Sequence, residues 1–137
     1  MNETGNARRE LLLAALGTLG AQLAIGEAHA QDPTKVQPGS YRVAFENDKL
    51  RVLDFTGRPG MGICGESMHS HPAHLTVVLA DWRGKLTQPD GTVTDRTRKL
   101  GDVFWSEAET HKLENTGKTN SRVLIVELKP PASAKKA

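Results

Sequence analysis

The sequence predicts an all-β domain, a sandwich or barrel of short strands. Three observations predict it. After residue 40 the chain breaks into strand-length runs, with turn residues roughly every eight to twelve positions. No stretch of that region carries the apolar period of a core-packing helix. Aromatic residues are only 4% of the chain, so a modest core must come from its Val, Leu and Ile.

The elements follow in order. Tyr41-Arg42-Val43-Ala44-Phe45 alternates apolar and less apolar positions, and Glu46-Asn47-Asp48 turns the chain. Leu50 to Phe55 makes a second strand, closed by Gly57-Arg58-Pro59-Gly60. Leu75 to Ala80 is nearly all apolar and predicts a buried strand. Lys85-Leu86-Thr87 leads into Pro89-Asp90-Gly91, which predicts an exposed hairpin turn. Thr92 to Lys99 alternates polar residues and reads as a solvent-facing strand. Val103-Phe104-Trp105 and Val123 to Leu128 complete the set, with no internal repeat.

A chain of 137 residues suits one domain. Its formal net charge of +2, with no basic stripe and no run beyond Lys135-Lys136, excludes nucleic acid as the expected partner. The first thirty residues read as an export signal: Arg8-Arg9, an apolar stretch from Leu11 to Ile25, then Ala28-His29-Ala30 at the cleavage position. The paired arginines before Leu11-Leu12 match the twin-arginine motif in part, because Ala7 and Leu11 replace its usual residues. Both that route and the general one stay open.

The apolar stretch is short of the roughly 20 residues that cross a bilayer. The expected mature chain therefore begins at Gln31 and is periplasmic or secreted, with no stable membrane association. Residues 31–40 read as an extended lead-in, 41–129 as the domain and 130–137 as a disordered tail. Cys64 is the only cysteine, so an exported chain has no internal disulfide, and its core or a metal must hold it together. Cys64 itself reads as a small residue of the Gly62–Gly65 turn rather than a ligand.

Four histidines remain beyond the signal: His69, His71 and His74, in the run His69-Ser70-His71-Pro72-Ala73-His74, and His111 farther on. Side chains at i and i+2 of a strand point to the same face, so His69 and His71 project together. Neutral imidazole is the commonest transition-metal ligand. Two on one strand and one from a neighbouring strand make a metal site with open positions.

These residues also carry a resemblance. Gly62 to Leu79, with His69-Ser70-His71-Pro72, resembles the first motif of the cupins. Gly101-Asp102-Val103-Phe104-Trp105, followed by His111-Lys112-Leu113-Glu114-Asn115, resembles the second. The run from Glu46-Asn47-Asp48 to Pro59-Gly60 is similar to the lead-in of small single-domain cupins, and the likeness spans residues 41–128. It implies a double-stranded β-helix, or jelly-roll, barrel with a metal inside.

In that family two histidines and a glutamate of the first motif and one histidine of the second hold the metal. His69, His71 and His111 fill the histidine places. No acidic residue follows His71 until Asp81, and His74 falls close to the glutamate place, with Thr76 the competing position and a poor ligand. The set implied is four histidines, or three with His74 adjoining. Glu107 and Glu109 stand where the second motif has Pro and Gly, and read as a solvated turn.

An all-histidine site suits one divalent transition metal: Fe, Mn, Ni, Cu or Zn. A small molecule is the expected ligand or substrate, and a homodimer is left open. Phe104, Trp105 and Val78 are the expected pocket walls. Metal-dependent oxygenase or isomerase chemistry and ligand capture without turnover are both compatible with such a barrel. Metal affinity is expected to fall below pH about 6.5, where free imidazole protonates.

Overall fold

The structure is a computed structural model that describes residues 31–60 and 68–131. The expected export signal, Cys64 with its turn, and the tail from residue 132 lie outside the described residues. The described chain forms one helical turn, α1 (Pro33–Val36), and nine strands. These are β1 (Tyr41–Glu46), β2 (Leu50–Gly57), β3 (His69–His71), β4 (His74–Ala80) and β5 (Trp82–Thr87), followed by β6 (Val93–Arg98), β7 (Val103–Ser106), β8 (Glu109–Asn115) and β9 (Ser121–Leu128). Every pairing is antiparallel. One sheet has the order β1-β2-β9-β4-β7 and the other β3-β8-β5-β6. The predicted all-β class and double-stranded β-helix architecture are those observed.

Strand β9 lies between β2 and β4. Its alternate residues Ser121, Val123, Ile125 and Glu127 are all buried, as the period of 2 requires for a strand with one face inward. Tyr41, Leu53, Phe55, Val78, Val123 and Ile125 form the apolar core, with Trp82, Phe104 and Leu113 packed against it. Each large apolar side chain fully buried contributes about 1.5–3 kcal/mol. Val78 is wholly buried in that core and is not among the residues that line the interior cavity, so it is packing rather than the expected pocket wall.

Most of the remaining buried residues are polar. They include Gln37, His69, His71, His74, Thr76, His111, Asn115 and Glu127. Such groups need partners in a dry interior. Asn115 finds them: its amide donates to the Gly57 and Thr119 carbonyls, and its Oδ1 accepts from the Gly117 N–H. The His-x-x-x-Asn spacing thus ends in a residue that ties down the turn after β8. Asp54 is shielded on the opposite face of β2 by Arg42 and Arg122 at 2.6 and 3.0 Å. Hydrogen bonds from Arg122 first, and then Arg42, outweigh burial and hold its carboxyl below the usual range.

Two segments differ from expectation. The lead-in is not wholly extended, because Asp32 caps a single helical turn by accepting from the Thr34 N–H, with Pro33 in the first turn. Strand β6 is not purely solvent-facing. Thr94, Arg96 and Arg98 are half-buried in alternation, and both arginines line the interior cavity. A polar strand that closes a barrel must still turn one face inward.

The hairpin at Pro89-Asp90-Gly91 joins β5 to β6 as predicted. Gln88 N–H donates to the Thr92 carbonyl, Asp90 Oδ1 accepts from the Thr92 N–H, and Gly91 takes a φ of 86° that favours glycine. Inserting three glycines after Asp90 should leave metal content unchanged. It should lower stability by less than about 1 kcal/mol, because closure cost grows slowly with loop length. Denaturant titration and metal analysis check this, and loss of folding would refute the turn's independence.

Candidate metal centre

Strand β3 is three residues long and carries His69 and His71 on one face, with Ser70 turned away to Thr110. It pairs with β8 so that His69 stands directly opposite His111. Cross-strand pairing thus brings together residues far apart in sequence. His69, His71 and His111 are 0%, 3% and 7% exposed, and one ring nitrogen from each lies within 4.8 Å of the others. The three sequence-predicted histidines form one group that could hold a metal ion.

The ring orientations have identifiable causes. His71 Nδ1 lies 2.7 Å from Glu127 Oε1. Burial works to raise the Glu127 carboxyl, but hydrogen bonds from His71 and Arg51 outweigh it, so the group stays below the usual carboxylate range. An ionised carboxylate only accepts, so Nδ1 carries the proton and donates. The Nε2 lone pair is then left facing the interior, and Nε2 is buried with no hydrogen-bond partner among the described residues. Carboxylate–histidine pairs of this kind commonly fix the tautomer of a metal ligand.

Glu127 is itself held by Arg51, whose other nitrogen reaches Asp32 at 2.6 Å. The chain of contacts runs from the cap of α1 to the histidine ring. The Gln37 amide donates to His69 Nδ1 at 3.2 Å, and the Tyr41 hydroxyl lies 3.1 Å from Nε2. Gln37 Oε1 is buried without a partner. Turning that amide over would place Oε1 on an Nδ1–H and free Nε2 to ligate. His111 Nδ1 is also buried without a hydrogen bond, at 3.5 Å from Glu109 Oε2.

His74 stands beside this group and not within it. It is 3% exposed, with its ring centroid 5.1 Å from that of His71. Its Nδ1–H donates to the Pro72 carbonyl at 2.7 Å, and Nε2 faces Glu109 Oε1 at 3.7 Å. Thr76 is buried on the same strand and lines the same cavity.

Glu107 lies in the solvated turn expected of it and accepts from the Trp105 indole N–H. Glu109 does not. Strand β8 begins at Glu109, so this residue shares the face of His111 two positions on, and it lines the cavity. Burial works to raise it, while His111, His74 and His71 act in the opposite direction and prevail.

The cavity is about 270 Å3. His71, His74, His111, Glu109 and Thr76 meet it, and Phe104 and Trp105 line it as expected. Three buried imidazoles, with two ring nitrogens unpartnered among the described residues, fit a divalent transition ion, which takes nitrogen donors readily.

Burial keeps the His69 and His71 rings neutral. Burial, followed by His111 and His71, lowers His69 to about 2. Burial also lowers His71, against the opposing bond to Glu127. The pH window for proton competition therefore lies well below the 6.5 of a free imidazole. For the metal-free protein the sign follows directly. Below pH about 6.5 the unfolded chain binds a proton at each of these positions and the folded chain does not, so stability is intact above that value and lost as pH falls toward 2.

Between pH 7 and pH 5 denaturant midpoints should register a loss of about 2 kcal/mol for His69, a window above the range where carboxylates titrate. An unchanged midpoint would show that His69 is not buried neutral. For Glu127, replacement by Gln removes the charge that orients His71. Metal affinity, measured by competition titration, should fall roughly 10- to 100-fold. Unchanged affinity would exclude the orienting role.

No family model matches the chain, and no curated protein matches it. Solved structures do. A cupin domain from Bordetella pertussis Tohama I superposes with a TM-score of 0.58 at 20% identity, covering 66% of this chain and 92% of that one. An RmlC-like cupin family protein from Methanocaldococcus jannaschii, described as a double-stranded β-helix, gives 0.52 at 11% identity, covering 70% and 84%. A protein from Bacillus halodurans gives 0.51 at 16% identity, covering 66% and 70%. With its two antiparallel sheets and these structural neighbours, the chain has the cupin double-stranded β-helix fold.

Proposed function

We propose that this chain is an exported metalloprotein that holds one divalent transition metal on His69, His71 and His111, with His74 adjoining, and presents it to a small molecule in the cavity. The observation that carries the reading is His71: its Nδ1 is held by Glu127 while its Nε2 is buried, unpartnered and grouped with two further ring nitrogens. A nitrogen without a partner in a dry interior is costly unless something occupies it. Export rests on Arg8-Arg9, the apolar stretch and Ala28-His29-Ala30, and fits a periplasmic or secreted location.

A metal bound there would act as a Lewis acid or activate O₂, which supports oxygenase or isomerase chemistry. The chain's own residues supply the setting. Glu127 holds the His71 proton at Nδ1, and Phe104 and Leu113 keep water from one side of the cavity. Glu109, ionised at the cavity edge between His74 and His111, is the one carboxylate among the described residues that lines the cavity, and it is positioned to accept a proton. Capture of a small molecule without turnover is the second reading. The absence of any residue in the sequence that marks a general base keeps it in play, and Glu109 is the observation against it.

Metal stoichiometry of alanine variants tests the reading. His69→Ala, His71→Ala and His111→Ala should each lower affinity by orders of magnitude, and His74→Ala by less. Full metal content in both His69→Ala and His111→Ala would end the proposal. Oxygen uptake by the iron-loaded protein with thiols, diketones and phenols separates enzyme from binder. The mass of the protein recovered from its host reads the export step.

A further inference from the structure

One wall of the cavity is unlike the others. It comes from the β5–β6 hairpin, where Trp82 pairs with Arg98 and Gly84 with Arg96. Residues 82, 96 and 98 all line the cavity. Gly84 keeps this wall thin: a Cβ there would overlap the Glu114 carbonyl oxygen of β8 and meet the Trp82 ring.

The three side chains are donors in want of acceptors. Among the described residues Arg96 has no ion pair or hydrogen bond from its side chain. Arg98 forms no ion pair among the described residues. Its guanidinium lies 4.4 Å over the Phe104 ring and donates one bond to the Thr97 carbonyl. Trp82 Nε1 is buried without a partner among the described residues.

The nearby acidic groups are engaged elsewhere. Asp81 holds Lys99 and the Leu100 N–H, Asp102 accepts from the Lys99 N–H, and Glu107 accepts from Trp105. Glu109 lines the cavity but faces His74 and His111. Two guanidinium charges thus meet a single carboxylate in a chamber whose other walls are the histidine side and an apolar side of Phe55, Phe104, Leu113, Val123 and Ile125.

We propose that the cavity binds a small organic carboxylate, held by Arg96 and Arg98 with the Trp82 indole N–H as a further donor, and with its apolar body against Phe104 and Leu113. The proposal rests on the reading of this cavity as the ligand chamber. A planar carboxylate matches the guanidinium fork with two parallel bonds. Stacking on Phe104 fixes the plane of Arg98 before any ligand arrives. The volume of about 270 Å3 restricts the ligand to metabolite size. The apolar walls favour an organic anion over inorganic phosphate, whose full hydration they cannot replace.

Calorimetric titration with benzoate, benzamide and inorganic phosphate tests this on the zinc-loaded and metal-free full chain. Benzoate should bind at least roughly tenfold tighter than benzamide or phosphate, a margin typical of one charge-assisted pair. The preference should persist without metal, because the arginines do not depend on it. The Arg96→Gln/Arg98→Gln variant should lose the preference and keep its metal stoichiometry, whereas Arg98→Lys should retain part of it.

Equal binding of benzoate and benzamide, tighter phosphate binding, no benzoate binding, or a preference that survives in the double glutamine variant would each overturn the proposal. If that variant does not fold, the benzoate-to-benzamide ratio of the natural chain decides alone. Failure of the metal reading shows separately, as full metal content in the histidine variants, and leaves the metal-free benzoate preference standing.

Discussion

Glu127 is 2% exposed and ionised in the middle of a five-stranded sheet. An unpaired charge there would cost several kcal/mol, so the surroundings must neutralise it. Arg51, in register opposite Glu127 on β2, supplies the counter-charge on one side. The His71 N–H supplies the other hydrogen bond. Much else follows from satisfying that one group. Arg51 needs a second anion, and Asp32 provides it while also capping α1. The helical turn then brings Gln37 to His69. A run of otherwise unremarkable polar residues in the lead-in is thereby tied to the histidine cluster.

The interior is divided between stability and chemistry. Among the described residues its apolar core of six is small, and polar residues make up most of the other buried positions. Hydrogen bonds to charged groups offset the cost of burying the polar half, and closure of the two sheets supplies the remainder. The Asp54 clamp joins β1, β2 and β9 on the opposite face through Arg42 and Arg122. Because those arginines are largely exposed, solvent screens the clamp, and it contributes modestly. The load falls on Leu53, Phe55, Val78 and their neighbours, so the cavity cannot be enlarged at their expense.

The same division organises the charges. His69 and His71 are kept neutral by burial first and by neighbouring imidazoles second, ready to donate lone pairs. Across the chamber, Arg96 and Arg98 carry permanent charge on a strand whose outward neighbours, Asp95 and Thr97, are also polar. Soft nitrogen donors on β3 and β8 and hard cations on β6 thus line one barrel, because β8 lies between β3 and β5 in the four-stranded sheet.

The local pattern by itself determined the strands, the hairpin at Pro89-Asp90-Gly91 and the shared face of His69 and His71. These features depend on short-range geometry: a period of 2, and a turn that glycine alone adopts easily. The resemblance added the barrel and the place of His111. Other residues were visible but unreadable. Glu127 sits in an apolar strand and Arg96 in a polar one, and nothing local says what either faces. Glu109 was misplaced because its role changes if β8 begins two residues earlier than a turn reading allows. Only closure of the sheets decided these cases. Which face is inside, and which distant strand lies opposite, are set by pairing register across the whole barrel, as when His69 meets His111 and Arg51 meets Glu127.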